Sequence, residues 1–351
     1  MTGKKLKWPL VGNEHITEYL EQCIARGNVG GTYIFNGPSD LGKSTAAICF
    51  AQTLLCQNYD QAGIELPCET CPSCRYFHRD ESGEGEKQAG DGVHGDCHII
   101  RRESDKKNIP VELVRDFIRI LSLSSFLGSY KVGIIRDAEY LSPEAANALL
   151  KTLEEPKQRV VIILVCSDLE ALPKTIVSRS QVLWFRPVKT DIIHDYLLKE
   201  YKASRSEAKK YSRLSLGRPA LAVKFFENKE ASENYRRQVD IFLKFFRQNI
   251  NERFAAIDSL VGKKISGPET AGIVRGALLA WQGLVRDLML THLGFGHLIQ
   301  HQICEAEINA LRSAVSREKI AELIHALRRG EEYLRANVNP KLVLEDIAVS
   351  L

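Results

Sequence analysis

Eight consecutive residues constrain this chain more than any other part of it: Gly37, Pro38, Ser39, Asp40, Leu41, Gly42, Lys43 and Ser44 spell G-x-x-x-x-G-K-S. The β-branched run Thr32–Phe35 just before them predicts a strand, and the residues from Lys43 onward predict a helix. Glycines let the backbone curl so that successive N–H groups face phosphate oxygens, and the helix N-terminus adds positive potential. Lys43 then reaches the β- and γ-phosphates, and the Ser44 hydroxyl is placed to hold Mg²⁺. ATP with Mg²⁺ is the expected ligand.

The rest of the first half alternates apolar runs with helical patterns, which predicts a parallel α/β sheet. Lys131–Ile135 and Val160–Val165 are continuous apolar runs suited to strands covered on both faces. Between them Ser142 caps a helix, Pro143 occupies its first position, and Ala146, Leu149, Leu150 and Leu153 form its apolar stripe; Pro156 ends it. The Gly-rich, acidic stretch 80–96 predicts a mobile loop or insertion. Beyond Pro187 only helical patterns occur, beginning with Asp191–Tyr201 and Ser206–Leu214. The expected division is a P-loop α/β domain over 1–187, a small helical lid over 188–230 and an all-α domain over 231–351.

Of nine cysteines, Cys56, Cys68, Cys71 and Cys74 crowd together. Four thiolates with C-x-x-C spacing match a closed tetrahedral Zn²⁺ site, a module spanning about 56–78. A redox C-x-x-C competes with this reading, and Cys97, His94 and His98 are a second source for the fourth ligand. Cys23, Cys49, Cys166 and Cys304 read as small buried hydrophobes. No signal peptide or membrane-length apolar run is present, so a cytoplasmic protein with reduced thiols is expected. The net charge of +4 argues against a dedicated nucleic-acid binder.

Several stretches together resemble the AAA+ clamp-loader family, the gamma and delta-prime subunits of bacterial DNA polymerase III. They are Leu10-Val11-Gly12-Asn13-Glu14, the P-loop, the cysteine module after its helix, Ala145–Pro156 with its Leu149-Leu150-Lys151-Thr152-Leu153-Glu154-Glu155-Pro156, Ser178-Arg179-Ser180 and the tail Asn337–Glu345. The resemblance implies an AAA+ domain with an inserted zinc module, a lid and a helical collar that oligomerises. It implies gamma/tau and delta subunits as partners, with the sliding clamp and primer-template DNA reached through the complex. It also implies that Arg179 is an arginine finger donated to a neighbour's ATP, and that Arg218 lies in a second nucleotide-sensing region.

One departure bears on subtype. Where the family's metal-holding acid and catalytic glutamate stand after the strand, this chain has Arg136 and Asp137, followed by Ala138 and Glu139. The position after Val160–Val165 reads Cys166-Ser167-Asp168. A cation beside Mg²⁺ disfavours hydrolysis, while Asp137 remains a candidate metal ligand. The pattern resembles a subunit that binds ATP, turns it over little and completes a neighbour's site. An ATP-hydrolysing motor, a scaffold without nucleotide and an independent zinc-dependent nucleic-acid binder are the alternatives.

Overall fold

The computed structural model describes residues 5–61, 63–77, 94–103, 106–126, 130–155, 157–262, 268–336 and 338–351. Most of the expected loop 80–96, and the residues Pro156 and Asn337, lie outside these. In chain order the first elements are β1 (Lys5–Leu6), α1 (Glu14–Ala25), β2 (Gly31–Asn36), α2 (Lys43–Leu54), β3 (Glu65–Leu66) and α3 (Pro72–Tyr76). There follow β4 (Cys97–Ile100), α4 (Val111–Ser122), β5 (Lys131–Ile135), α5 (Pro143–Glu154), β6 (Val160–Cys166), α6 (Lys174–Val177) and β7 (Gln181–Trp184). Helices alone make up the remainder of the described chain: α7 (Thr190–Glu200), α8 (Arg205–Leu214), α9 (Pro219–Glu227), α10 (Lys229–Phe245) and α11 (Ile250–Val261), then α12 (Pro268–His292), α13 (Glu305–Ala314), α14 (Arg317–Arg335) and α15 (Pro340–Val349).

Two compact units result: residues 1–192 with 217–220, and residues 193–216 with 221–351. In the first, five parallel strands run in the order β4-β5-β6-β2-β7, with Thr32 opposite Ile162 and Tyr33 opposite Gln181. Side chains alternate across a pleated strand, and both faces here are covered. Tyr33, Phe35, Val161 and Ile163 pack with Ile16, Leu20 and Phe50 of α1 and α2. Ile34, Ile162 and Leu164 pack on the opposite face with Phe117, Ala145, Ala146 and Leu149 of α4 and α5. That double burial explains why β5 and β6 read as unbroken apolar runs. Ser142 caps α5 as its sequence predicts, its Oγ accepting from Ala145 N–H at 3.1 Å.

The second unit is a helical bundle organised on α12, whose buried Trp281 stacks on Phe242 at 4.9 Å and meets Phe245 edge-on at 5.4 Å. The indole N–H donates to the Gln238 carbonyl at 2.9 Å, so this large ring is buried with its one polar group satisfied.

Candidate functional site: a phosphate loop and a thiol cluster

In a parallel sheet every strand delivers its following loop to one edge, and ligands bind there. That edge carries the P-loop after β2, Arg136–Glu139 after β5 and Cys166–Asp168 after β6. Gly37 has φ +149°, and a Cβ on it would lie 2.4 Å from the Phe185 carbonyl oxygen. The loop therefore threads where only glycine passes. Pro38, Ser39 and Asp40 are exposed at its crest, while Lys43 is 6% exposed. The Lys43 ammonium donates to the carbonyls of Gly37 (2.5 Å) and Pro38 (2.6 Å), with the Ser167 hydroxyl at 3.4 Å. Burial pulls its pKa below the ordinary lysine value, against the attraction of Glu139.

Glu139, on a single 3₁₀ turn Ala138–Tyr140, is the acid that the tertiary structure turns toward Lys43. One carboxylate oxygen accepts from Ser167 N–H at 3.2 Å; the other is buried without a partner. Burial raises its pKa. Asp137, the acid singled out from the sequence, is exposed with φ +55° and contributes less to the field at Lys43. The sequence signal for Glu139 was only its distance from the strand end. A glycine-only cradle, a buried cation and an orphaned carboxylate oxygen form a donor set that fits a nucleotide phosphate with its metal ion.

Two further segments close on this edge. Ala220 N–H donates to the Asp40 carbonyl at 3.1 Å, which brings the Gly217-Arg218-Pro219 turn to the P-loop. Gly217 sits with φ +76° and its carbonyl accepts from Val188 N–H at 2.8 Å. On the other side the buried Asn13 clamps the chain after β7, donating to the Arg186 carbonyl at 3.0 Å and accepting from Arg186 N–H at 2.7 Å.

Arg179 is elsewhere. It precedes β7, whose first residue pairs with Tyr33, four residues before Gly37. At about 3.3 Å per strand residue, the start of β7 is roughly 13 Å from the loop, at the opposite end of the sheet. Its guanidinium donates to the Thr175 carbonyl (3.0 Å) and pairs with Glu154 of α5 (2.7 Å), and the side chain stays 36% exposed.

The four sulfurs of Cys56, Cys68, Cys71 and Cys74 lie within 4.8 Å of one another. A tetrahedral zinc with ~2.3 Å bonds needs sulfurs about 3.8 Å apart, and Cys68 and Cys74 are 3.9 Å apart. Backbone N–H groups of Cys71 and Cys74 donate to the sulfurs of Cys68 (3.3 Å) and Cys71 (3.4 Å), as metal-ligand thiolates require. A hydrogen bond from Cys74 pulls the Cys56 thiol down to about 5, and the same bond pushes Cys74 up. The other candidate ligands are not in the cluster. His94 bonds Ser73 Oγ (2.8 Å) and Asp96 N–H (3.1 Å), Cys97 is buried on β4, and His98 packs on Phe117. The strand pair β1–β3 anchors the module, with Lys7 N–H donating to the Leu66 carbonyl at 2.8 Å.

A phosphate-type loop joining an inner parallel strand to a buried helix defines a P-loop α/β protein. Comparison with known proteins narrows this class. The chain belongs to the DNA polymerase III delta-subunit family, whose model matches residues 12–189. It is 24% identical to the delta-prime subunit of DNA polymerase III from Bacillus subtilis over 96% of this chain and 95% of that one. It is 30% identical to the tau subunit from the same organism over 52% of this chain, spanning only 30% of that longer protein. Among solved structures, a DNA polymerase III gamma subunit-related protein from Thermotoga maritima aligns over 96% of this chain and 97% of its own, with 19% identity and a TM-score of 0.46. No helix among the described residues is long and apolar enough to cross a membrane.

Proposed function

We propose that the chain is a delta-prime-type subunit of the DNA polymerase III clamp loader, a cytoplasmic protein that helps load the sliding clamp onto primed DNA. It binds ATP at Gly37–Ser44, turns it over little, and donates Arg179 to ATP held by a neighbouring gamma/tau subunit. The observation carrying this reading is the position of Arg179: exposed, charged, and at the sheet end away from its own loop. A guanidinium there can complete only another subunit's site. The full-length match to a delta-prime subunit supports the same reading.

In the chain's own site, Lys43 neutralises phosphate charge, Ser44 supplies a hydroxyl for Mg²⁺, and the Arg218 turn adds positive charge beside Asp40. Mg²⁺, when bound, supplies further charge neutralisation. Arg136 in place of a metal-holding acid weakens turnover. Residues 188–230 serve as lid, 231–351 as collar, and the zinc module at Cys56, Cys68, Cys71 and Cys74 is structural, since four protein thiolates leave no open coordination position.

The test combines the chain with gamma- and delta-type subunits, clamp and primed DNA. Arg179→Ala is expected to lower DNA-dependent ATP turnover and clamp loading at least about tenfold, since such fingers contribute ~10³-fold or more at a single site. Unchanged loading would overturn the proposal. A motor of gamma/tau type is the second reading, favoured by the orphaned carboxylate oxygen of Glu139 facing Lys43. Robust turnover by the chain alone, abolished by Lys43→Ala, would establish it instead.

A further inference from the structure

The connection between α4 and β5 carries the most exposed large apolar side chain among the described residues, Phe126 at 83%, together with Leu123 at 59%. The backbone beneath this pair is pinned from inside the protein. Asp96, 1% exposed, accepts from Phe126 N–H (2.9 Å) through one carboxylate oxygen and from Ser125 Oγ (2.8 Å) through the other. The Lys131 ammonium lies 3.9 Å away and balances the buried charge. The Phe126 ring rests on Gly95, where an added Cβ would meet it at 3.0 Å.

The turn His94-Gly95-Asp96 is itself held by the thiol module. Ser73 stands between Cys71 and Cys74 of the cluster. Its hydroxyl spends its one proton on the Leu55 carbonyl (2.7 Å), so it accepts from His94 Nε2–H (2.8 Å). The other ring nitrogen, Nδ1, then accepts from Asp96 N–H at 3.1 Å. His94 also stacks on Phe77 (5.6 Å) and meets Tyr76 edge-on (5.9 Å), both at the end of α3. With only five residues, α3 is too short to keep its shape without the sulfurs that bracket Ser73. A second tie reaches the far end of the same connection. Tyr59 packs on the buried cysteines, its N–H donates to the Cys56 carbonyl at 3.0 Å, and its ring meets Tyr130 edge-on at 6.1 Å, immediately before β5.

We propose that Ser73, His94 and Asp96 couple the filled cysteine cluster to the Leu123–Phe126 segment, so that only the metal-loaded chain presents this apolar pair in one place. The coupling rests on the zinc reading above and extends it. The cluster then acts beyond its own module, on the sheet end that also carries Arg179.

The test is amide hydrogen exchange on the full chain, read by mass spectrometry, with zinc content measured in parallel by a dye assay. In the zinc-loaded chain Phe126 N–H is expected to exchange slowly. A strong chelator should speed that exchange at least about tenfold, the loss of one hydrogen bond to a charged acceptor, and added Zn²⁺ should restore it. His94→Ala should speed it comparably while still holding one equivalent of zinc. Protection of β6 reports folding in each arm, and an arm that loses it leaves the decision to the other. Equal exchange at Phe126 with and without zinc would overturn the coupling, as would full protection in zinc-loaded His94→Ala. A parent chain that carries no zinc would instead remove the zinc reading, and the coupling with it.

Discussion

Replacing Gly37 by alanine tests the geometry on which the nucleotide site rests. Its φ of +149° lies where L-residues are strained, a cost of about 1–3 kcal/mol. The added Cβ would also lie 2.4 Å from the Phe185 carbonyl oxygen. Backbone cannot rotate out of the way as a side chain can, so a further ~1–3 kcal/mol of overpacking follows. The sum, about 4 kcal/mol, is a large part of the ~5–15 kcal/mol that holds a domain folded. At ~2–4 °C per kcal/mol for a unit of this size, the first transition should fall by roughly 10 °C. Lys43 should lose its placement as well, because its ammonium rests on the Gly37 carbonyl, so ATP should no longer raise the melting temperature. Gly30 is the internal control: a Cβ there meets nothing within 4 Å, and Gly30→Ala should be neutral or slightly stabilising. Melting curves with and without Mg²⁺–ATP decide it. A fall of under about 2 °C for Gly37→Ala, or an equal fall for both variants, would refute the reasoning.

Three other outcomes are expected. Burial raises the Glu139 pKa, so the folded state holds its proton more tightly than the unfolded chain; the associated stability is present below the ordinary carboxyl pKa and lost as pH rises through the raised value. Glu139→Gln should therefore melt higher than the parent at pH 8 and lose that advantage by about pH 4, and a lower melting temperature at pH 8 would contradict it. The chain should copurify with about one equivalent of Zn²⁺, and Cys68→Ser or a strong chelator should remove the metal and lower stability. A dye assay on denatured protein that finds no zinc in the parent would sink the metal reading. Asn13→Ala should cost about 1–2 kcal/mol, because it removes both hydrogen bonds between the buried Asn13 side chain and the Arg186 backbone; denaturant titration measures it.

Local signals in the sequence settled a great deal. The glycine spacing, the flanking strand and the helix from Lys43 specify the phosphate loop because each rests on neighbouring residues. Ser142 and Pro143 mark the start of α5, and doubly covered strands announce themselves as apolar runs. The four clustered cysteines were legible for the same reason. Family membership, too, was written in the residues around Leu149–Pro156.

What depended on distant pairing was not legible. The order β4-β5-β6-β2-β7 comes from which apolar faces fit together, and the parallel pairing of β2 with β7 puts Arg179, before β7, and the P-loop, after β2, at opposite ends of one sheet. Glu139 outranks Asp137 at Lys43 because a single 3₁₀ turn after β5 rotates one acid inward and leaves the other in solvent. The Arg218 turn reaches the loop through one hydrogen bond spanning 180 residues, from Ala220 to Asp40. The Asp287–His301–Tyr235–Gln300 network has no sequence period at all, since it forms only when separate helices bury their polar groups together. Chain-local chemistry determined which groups are suited to a phosphate or a metal; tertiary packing decided which of them come together, because register and burial are properties of the whole sheet and bundle.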